Sequence, residues 1–102
     1  MAKWRFVTNH ALVLIQVAQH PRSTLREIAL AVGITERAAL SILRAMEEDE
    51  IISRKKEGRR NKYWVDFRAL LDHPLGGPYT LAELMEALTE IGKQISTVQR
   101  VS

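Results

Sequence analysis

The chain contains no cysteine. Disulfides and thiolate metal sites are therefore excluded, and the composition fits a reducing compartment such as the cytoplasm. Long apolar runs are missing too. The longest, Ala11 to Ala18, is interrupted by Gln16 and falls well short of the ~18 residues that cross a bilayer. Lys3 and Arg5 precede it, but no small-residue cleavage site follows, so neither a membrane span nor a secretory signal is expected. The three histidines, His10, His20 and His73, stand singly, with no carboxylate at ligand spacing. No metal is expected from that pattern. The chain also lacks a Ser/His/Asp arrangement and a glycine-rich phosphate loop, so no cofactor and no enzymatic activity are expected.

What is present is one domain's worth of chain, 102 residues of which 46% are hydrophobic. That is enough for a core and too much for a disordered tail. So small a domain buries a modest fraction of its surface, which favours help from a partner chain. The net charge of +3 is unevenly spread. Residues 1–46 carry six basic and two acidic groups, and residues 47–50 are Glu47, Glu48, Asp49 and Glu50. Residues 53–71 carry seven basic groups against Glu57 and Asp66. A segment this basic is either a polyanion-binding surface or a solvated loop.

Thr8 or Asn9 can cap a first helix that runs to about His20, with Leu12, Ile15 and Val17 or Ala18 at helical spacing and Pro21 as its stop. Trp4, Phe6 and Val7 before it read as an extended arm or an added turn. Thr24-Leu25-Arg26-Glu27 is a capping box, followed by Leu25, Ile28, Ala29 and Val32 on one face and by Gly33 as terminator. Thr35 then caps a helix whose apolar stripe is Ala39, Ile42, Leu43 and Met46. From Ile51 and Ile52 the pattern changes to strand, turns at Gly58-Arg59-Arg60 and returns through Tyr63, Trp64, Val65 and Phe67. Trp64 reads as a core residue. His73-Pro74-Leu75-Gly76-Gly77-Pro78 has linker composition. Thr80 and Glu83 form a second capping box that opens a helix to about Val98. The expected fold class is mainly α with a small β-hairpin: residues 1–72 as one domain, 73–79 as a linker and 80–102 as a C-terminal helix.

Helix, short helix, glycine corner, helix and hairpin is the order of a winged helix-turn-helix. Three motifs support this: Gly33-Ile34-Thr35-Glu36-Arg37-Ala38-Ala39, then Arg59-Arg60-Asn61 with Tyr63 and Val65, then His73-Pro74-Leu75. On these motifs the chain resembles MarR-like winged helix transcriptional regulators over roughly residues 10–71. The resemblance implies duplex DNA binding in the cytoplasm, with a recognition helix over about 35–48 in the major groove, a basic wing over about 54–63 on backbone or minor groove, and often a homodimer. An unidentified small-molecule effector stays open as a further partner; no membrane is implied.

The residues themselves give this expectation its positions. The outward face of the second helix-turn-helix element holds Glu36, Arg37, Leu40, Ser41 and Arg44. Arg37 suits a guanine edge, Leu40 a thymine methyl and Arg44 the backbone. Thr35, Ser23 and Thr24, at helix starts, are phosphate donors. Arg59, Arg60, Asn61 and Lys62, at the hairpin tip, are expected over a minor groove or its flanking phosphates. The acidic run 47–50 is expected to point away from DNA. Leu40 and Ser41 stand where related proteins often carry polar readers, so shape readout takes a larger share. Relatives also favour glycine in the corner after the recognition helix, where this chain has Asp49-Glu50. Leu81, Leu84, Met85, Leu88, Ile91 and Ile95 form the stripe expected to dimerise. Two other readings remain: a winged helix used for protein–protein contact, favoured by the acidic run and Leu40, and an RNA-binding module.

Overall fold

The computed structural model describes residues 7–75 and 77–101, with side chains described for 7–75 and 77–94. The arm residues Trp4 and Phe6 lie outside the described residues; Val7 is exposed. The chain divides into two compact units, Met1–Asp66 and Phe67–Ser102.

In the first unit, α1 spans Asn9–Gln19, α2 Leu25–Val32 and α3 Glu36–Glu48; β1 spans Ile52–Glu57 and β2 Arg60–Val65. Each helix begins on a threonine whose side-chain oxygen accepts a backbone N–H that the helix leaves unpaired. Thr8 takes Ala11, Thr24 takes Glu27 and Thr35 takes Ala38. The Thr24–Glu27 capping box is complete in both directions. Gly33 ends α2 at φ 82, a left-handed conformation that costs glycine little.

The core is built from Val13 and Val17 of α1, Ile28 and Ala29 of α2, Ala39, Ile42, Leu43 and Met46 of α3, and Ile51, Ile52 and Tyr63 of the hairpin. The stripes expected on α2 and α3 face this core. The stripe expected on α1 faces it only in part: Val17 is fully buried and Leu12 half-buried, but Ile15 is 48% exposed, Ala18 is exposed, and the fully buried Val13 stands in place of Ile15. Residues 11–15 are apolar throughout, so period alone does not choose the inward face there. Each fully buried aliphatic side chain contributes about 1.5–3 kcal/mol of transfer free energy.

The hairpin pairs antiparallel, from Ile52 opposite Val65 to Glu57 opposite Arg60. Gly58 (φ 60) and Arg59 make the turn between the strands. At its base, Asp66 donates its N–H to the Ile51 carbonyl at 2.8 Å; on the free edge of β2, Tyr63 donates to the Pro21 carbonyl at 2.8 Å. The alternation of a strand puts Asn61, Tyr63 and Val65 on one face with Ile52, Arg54 and Lys56. Trp64 lies on the other face and is 42% exposed, so it is not the core residue its apolar character indicates.

The second unit opens earlier than expected. Phe67 leaves the strand and begins a short helix, α4, Phe67–Leu71, which contacts the long helix α5, Leu81–Val101. The unit boundary thus falls at residue 66, where the hairpin closes, rather than at 72. The segment between the helices is a closed turn rather than a free linker. Leu75 donates to the Tyr79 carbonyl at 3.0 Å, Leu81 donates to His73 at 3.1 Å, and Pro74 and Thr80 form a β-bridge. Glu83 accepts from the Thr80 N–H at 3.0 Å and from its hydroxyl at 3.2 Å.

Candidate nucleic-acid interface

α3 carries the first part of the candidate surface. Arg37, Ser41, Arg44 and Glu48 follow one another at spacings of four, three and four, which is one ridge of a helix, and all four are exposed. Glu36 is exposed on the first turn and Leu40 is half-buried beside the ridge. Neither Arg37 nor Arg44 has an ion-pair partner among the described residues. The acidic run does not turn away as a block. Glu47 is half-buried and meets Arg54 of β1 at 3.3 Å, and Asp49 and Glu50 close the helix end. Glu48, however, ends the same ridge that Arg37 begins.

The N-terminal ends of α2 and α3 are closed by their own threonine caps. Thr24 accepts from the Glu27 N–H and Thr35 from the Ala38 N–H, each at 3.1 Å. Ser23 is a correction: it is 6% exposed, its hydroxyl donates to the His20 carbonyl at 2.8 Å and accepts from Gln16 Nε2 at 3.2 Å. A buried hydroxyl used inside the fold is not a phosphate donor.

On the wing, Lys55, Lys56 and Arg59 are exposed and without ion-pair partners among the described residues. Lys62 lies with its ammonium 5.0 Å from the centre of the Trp64 ring, a cation–π contact between residues two apart on one strand face. Asn61 is half-buried on the opposite face. Arg60 differs from Arg59. Its guanidinium donates to Glu27 Oε1 at 2.7 Å and to the Arg22 carbonyl at 3.0 Å. Arg22 in turn meets Glu57 at 3.4 Å. The carboxyl of Glu27 is held down to about 2, first by the Thr24 N–H, then by the Thr24 hydroxyl and by Arg60. Sequence reasoning missed these pairs. Their partners lie 33 and more residues apart in the chain, and no local spacing announces them.

α5 carries the stripe expected to dimerise. Leu81 and Leu84 are half-buried, while Met85, Leu88 and Ile91 are 51%, 50% and 51% exposed. The side chain of Ile95 lies outside those described. Phe67, Leu71, Leu75 and Tyr79 are exposed in the same unit. Among the described residues, no helix is long and apolar enough to cross a membrane, and no group of three or more metal-ligating side chains occurs.

Three helices, a glycine corner and a hairpin tied back to the α1–α2 turn define a winged helix-turn-helix fold. Residues 9–53 match the family model described as winged helix-turn-helix DNA-binding. Solved structures share the fold. A point variant of ZitR from Lactococcus lactis matches 99% of this chain and 63% of its own at TM-score 0.55 and 20% identity. MepR, a transcription regulator of the Staphylococcus aureus multidrug efflux pump MepA, matches 89% of this chain and 60% of its own at 0.52 and 20%. Wild-type ZitR in complex with DNA matches 98% and 62% at 0.52 and 18%. ZitR is described as a zinc-responsive MarR family member. The chain thus spans about three fifths of the length of these proteins. No curated protein sequence matches it.

Proposed function

We propose that this chain binds double-stranded DNA as a transcriptional regulator, working in the cytoplasm as a homodimer. The observation that carries the reading is the exposed ridge of α3, where Arg37 and Arg44 stand without ion-pair partners among the described residues on a fold shared with a protein solved on DNA. α3 enters the major groove; Arg37 and Ser41 meet base edges and Leu40 a thymine methyl, with Glu36 at the entry. Arg44, Thr24 and Thr35 hold backbone. The wing lays Arg59, Lys62 and Asn61 along the phosphates or minor groove, joined by Lys55 and Lys56, which the sequence pointed to only through the basicity of the segment. Two copies pair through Leu81, Leu84, Met85, Leu88, Ile91 and Ile95, burying on the order of 1,200–2,000 Å² and setting two α3 helices ~34 Å apart on a palindromic site.

Selection of bound sequences from a random duplex pool, with single-stranded RNA as competitor, tests the reading. The expected result is enrichment of a palindromic duplex motif, with binding that falls steeply as salt rises. Recovery of no motif, or displacement by the RNA, overturns it.

A further inference from the structure

The two arginines of the wing turn look alike in sequence and are placed differently in space. Arg59 is exposed and unpaired among the described residues. Arg60, the next residue, reaches back to the start of α2, and its cross-strand neighbour Glu57 meets Arg22 there. Four side chains of alternating sign, Arg22, Glu57, Arg60 and Glu27, therefore join the wing to the turn before α2. A backbone bond from Tyr63 to Pro21 lies in the same junction. One oxygen, Glu27 Oε1, serves both the cap of α2, accepting from the Thr24 N–H at 2.9 Å, and the wing, accepting from Arg60 at 2.7 Å.

We propose that Arg60 is a positioning residue: through Glu27 and the Arg22 carbonyl it fixes the wing relative to the helix-turn-helix, and Arg59 is the guanidinium of the turn that meets phosphate. For Arg60 to reach a phosphate it would have to leave Glu27, and the carboxylate left behind would repel the incoming anion. Held in place, it instead orders the wing before binding, so that α3 and the wing engage one duplex without a fresh entropic cost. The proposal rests on the DNA-binding reading for its affinity arm and is independent of it for its structural arm.

The test compares Arg59→Ala, Arg60→Ala, Glu27→Gln and the Arg60→Ala/Glu27→Gln pair in the full chain. The first readout needs no DNA: hydrogen exchange at the Tyr63 amide. Protection is expected to fall in Arg60→Ala and in Glu27→Gln, and to hold in Arg59→Ala. The second is affinity for mixed-sequence duplex DNA across a salt series. Arg59→Ala is expected to flatten the log–log salt slope by about 0.9 per protomer. Arg60→Ala is expected to weaken binding about two- to five-fold, the scale of an exposed ion pair, at unchanged slope. Glu27→Gln should weaken it in the same direction, and the double variant should be no worse than either single one. Tighter binding by Glu27→Gln, a flattened slope in Arg60→Ala, or unchanged Tyr63 protection in both variants would overturn the proposal. Wild-type protein that fails to bind duplex would overturn the DNA reading and leave the exchange result to decide this one.

Discussion

Ile51 donates its backbone N–H to the Met46 carbonyl at 3.0 Å, spanning the end of α3, while Glu50 inside that loop donates to Glu47 at 3.0 Å. The pair of bonds is a Schellman closure, and it requires a left-handed residue at its centre. Glu50 supplies it, at φ 59. A β-carbon is disfavoured there, and Glu50 also ends a run of four acids at the negative pole of the helix. Glu50→Gly is expected to stabilise the fold by about 0.5–1 kcal/mol in denaturant unfolding. Glu50→Gln removes the charge and keeps the strain; an equal gain from both variants would show that charge alone matters.

Glu27 predicts an acid-resistant junction. Its carboxyl titrates near 2 rather than at its ordinary 4.5. A lowered value in the folded state means that its contribution is fully present above about 4.5 and is lost as the pH falls through about 2. Carboxyl-carbon NMR should place its midpoint near 2 in the wild type. Thr24→Ala should raise that midpoint further than Arg60→Ala does, because Thr24 supplies the larger share. A wild-type midpoint at the ordinary value would dismiss the junction.

Arg37 and Glu48 occupy the two ends of one ridge and should act with opposite sign. Arg37→Ala is expected to cost about 1–3 kcal/mol on a selected site and to relax preference at one base position. Glu48→Gln should tighten binding to every duplex about two- to five-fold, most at low salt, by removing one repulsive charge. Equal losses on specific and mixed-sequence DNA for Arg37→Ala would assign it to backbone contact instead.

The exposed stripe of α5 should control assembly. Sedimentation of the wild-type chain at micromolar concentration is expected to show a mass of twice 11.6 kDa. Leu84→Ala with Leu88→Ala should reduce it to the monomer and weaken operator binding together with it. A wild-type mass of 11.6 kDa would rule out pairing through this helix.

The helix-turn-helix was legible because its signals are local. Thr24 with Glu27, Gly33, and Thr35 before Ala39, Ile42, Leu43 and Met46 fix caps and inward faces within a few residues of chain. The positive φ of Glu50 was also readable, from the glycine that resembling proteins carry in that corner. What escaped depends on distance or ambiguity. α1 is apolar on several faces, so the inward place of Val13 rather than Ile15 is chosen by packing against α2 and α3. Ser23 looked like a surface donor because its partners, the His20 carbonyl that accepts from it and the Gln16 amide that donates to it, come together only once the turn at Pro21 has formed. Arg60 looked like Arg59 because Glu27 is remote in sequence. Phe67 continued an aromatic strand pattern, but the ladder ends at Val65 and the residue joins α4.

The indole of Trp64, half in water beneath the ammonium of Lys62, gives the wing an optical reporter of its own. Indole emission responds to the charge and the solvent at its face. A polyanion that draws Lys62 off the ring changes both at once, whereas a ligand seated elsewhere on the chain leaves them as they are. The chain has two tryptophans, so Trp4→Phe leaves Trp64 as the sole emitter. Its fluorescence then follows occupancy of the wing in real time, with no label added to the protein or to its ligand.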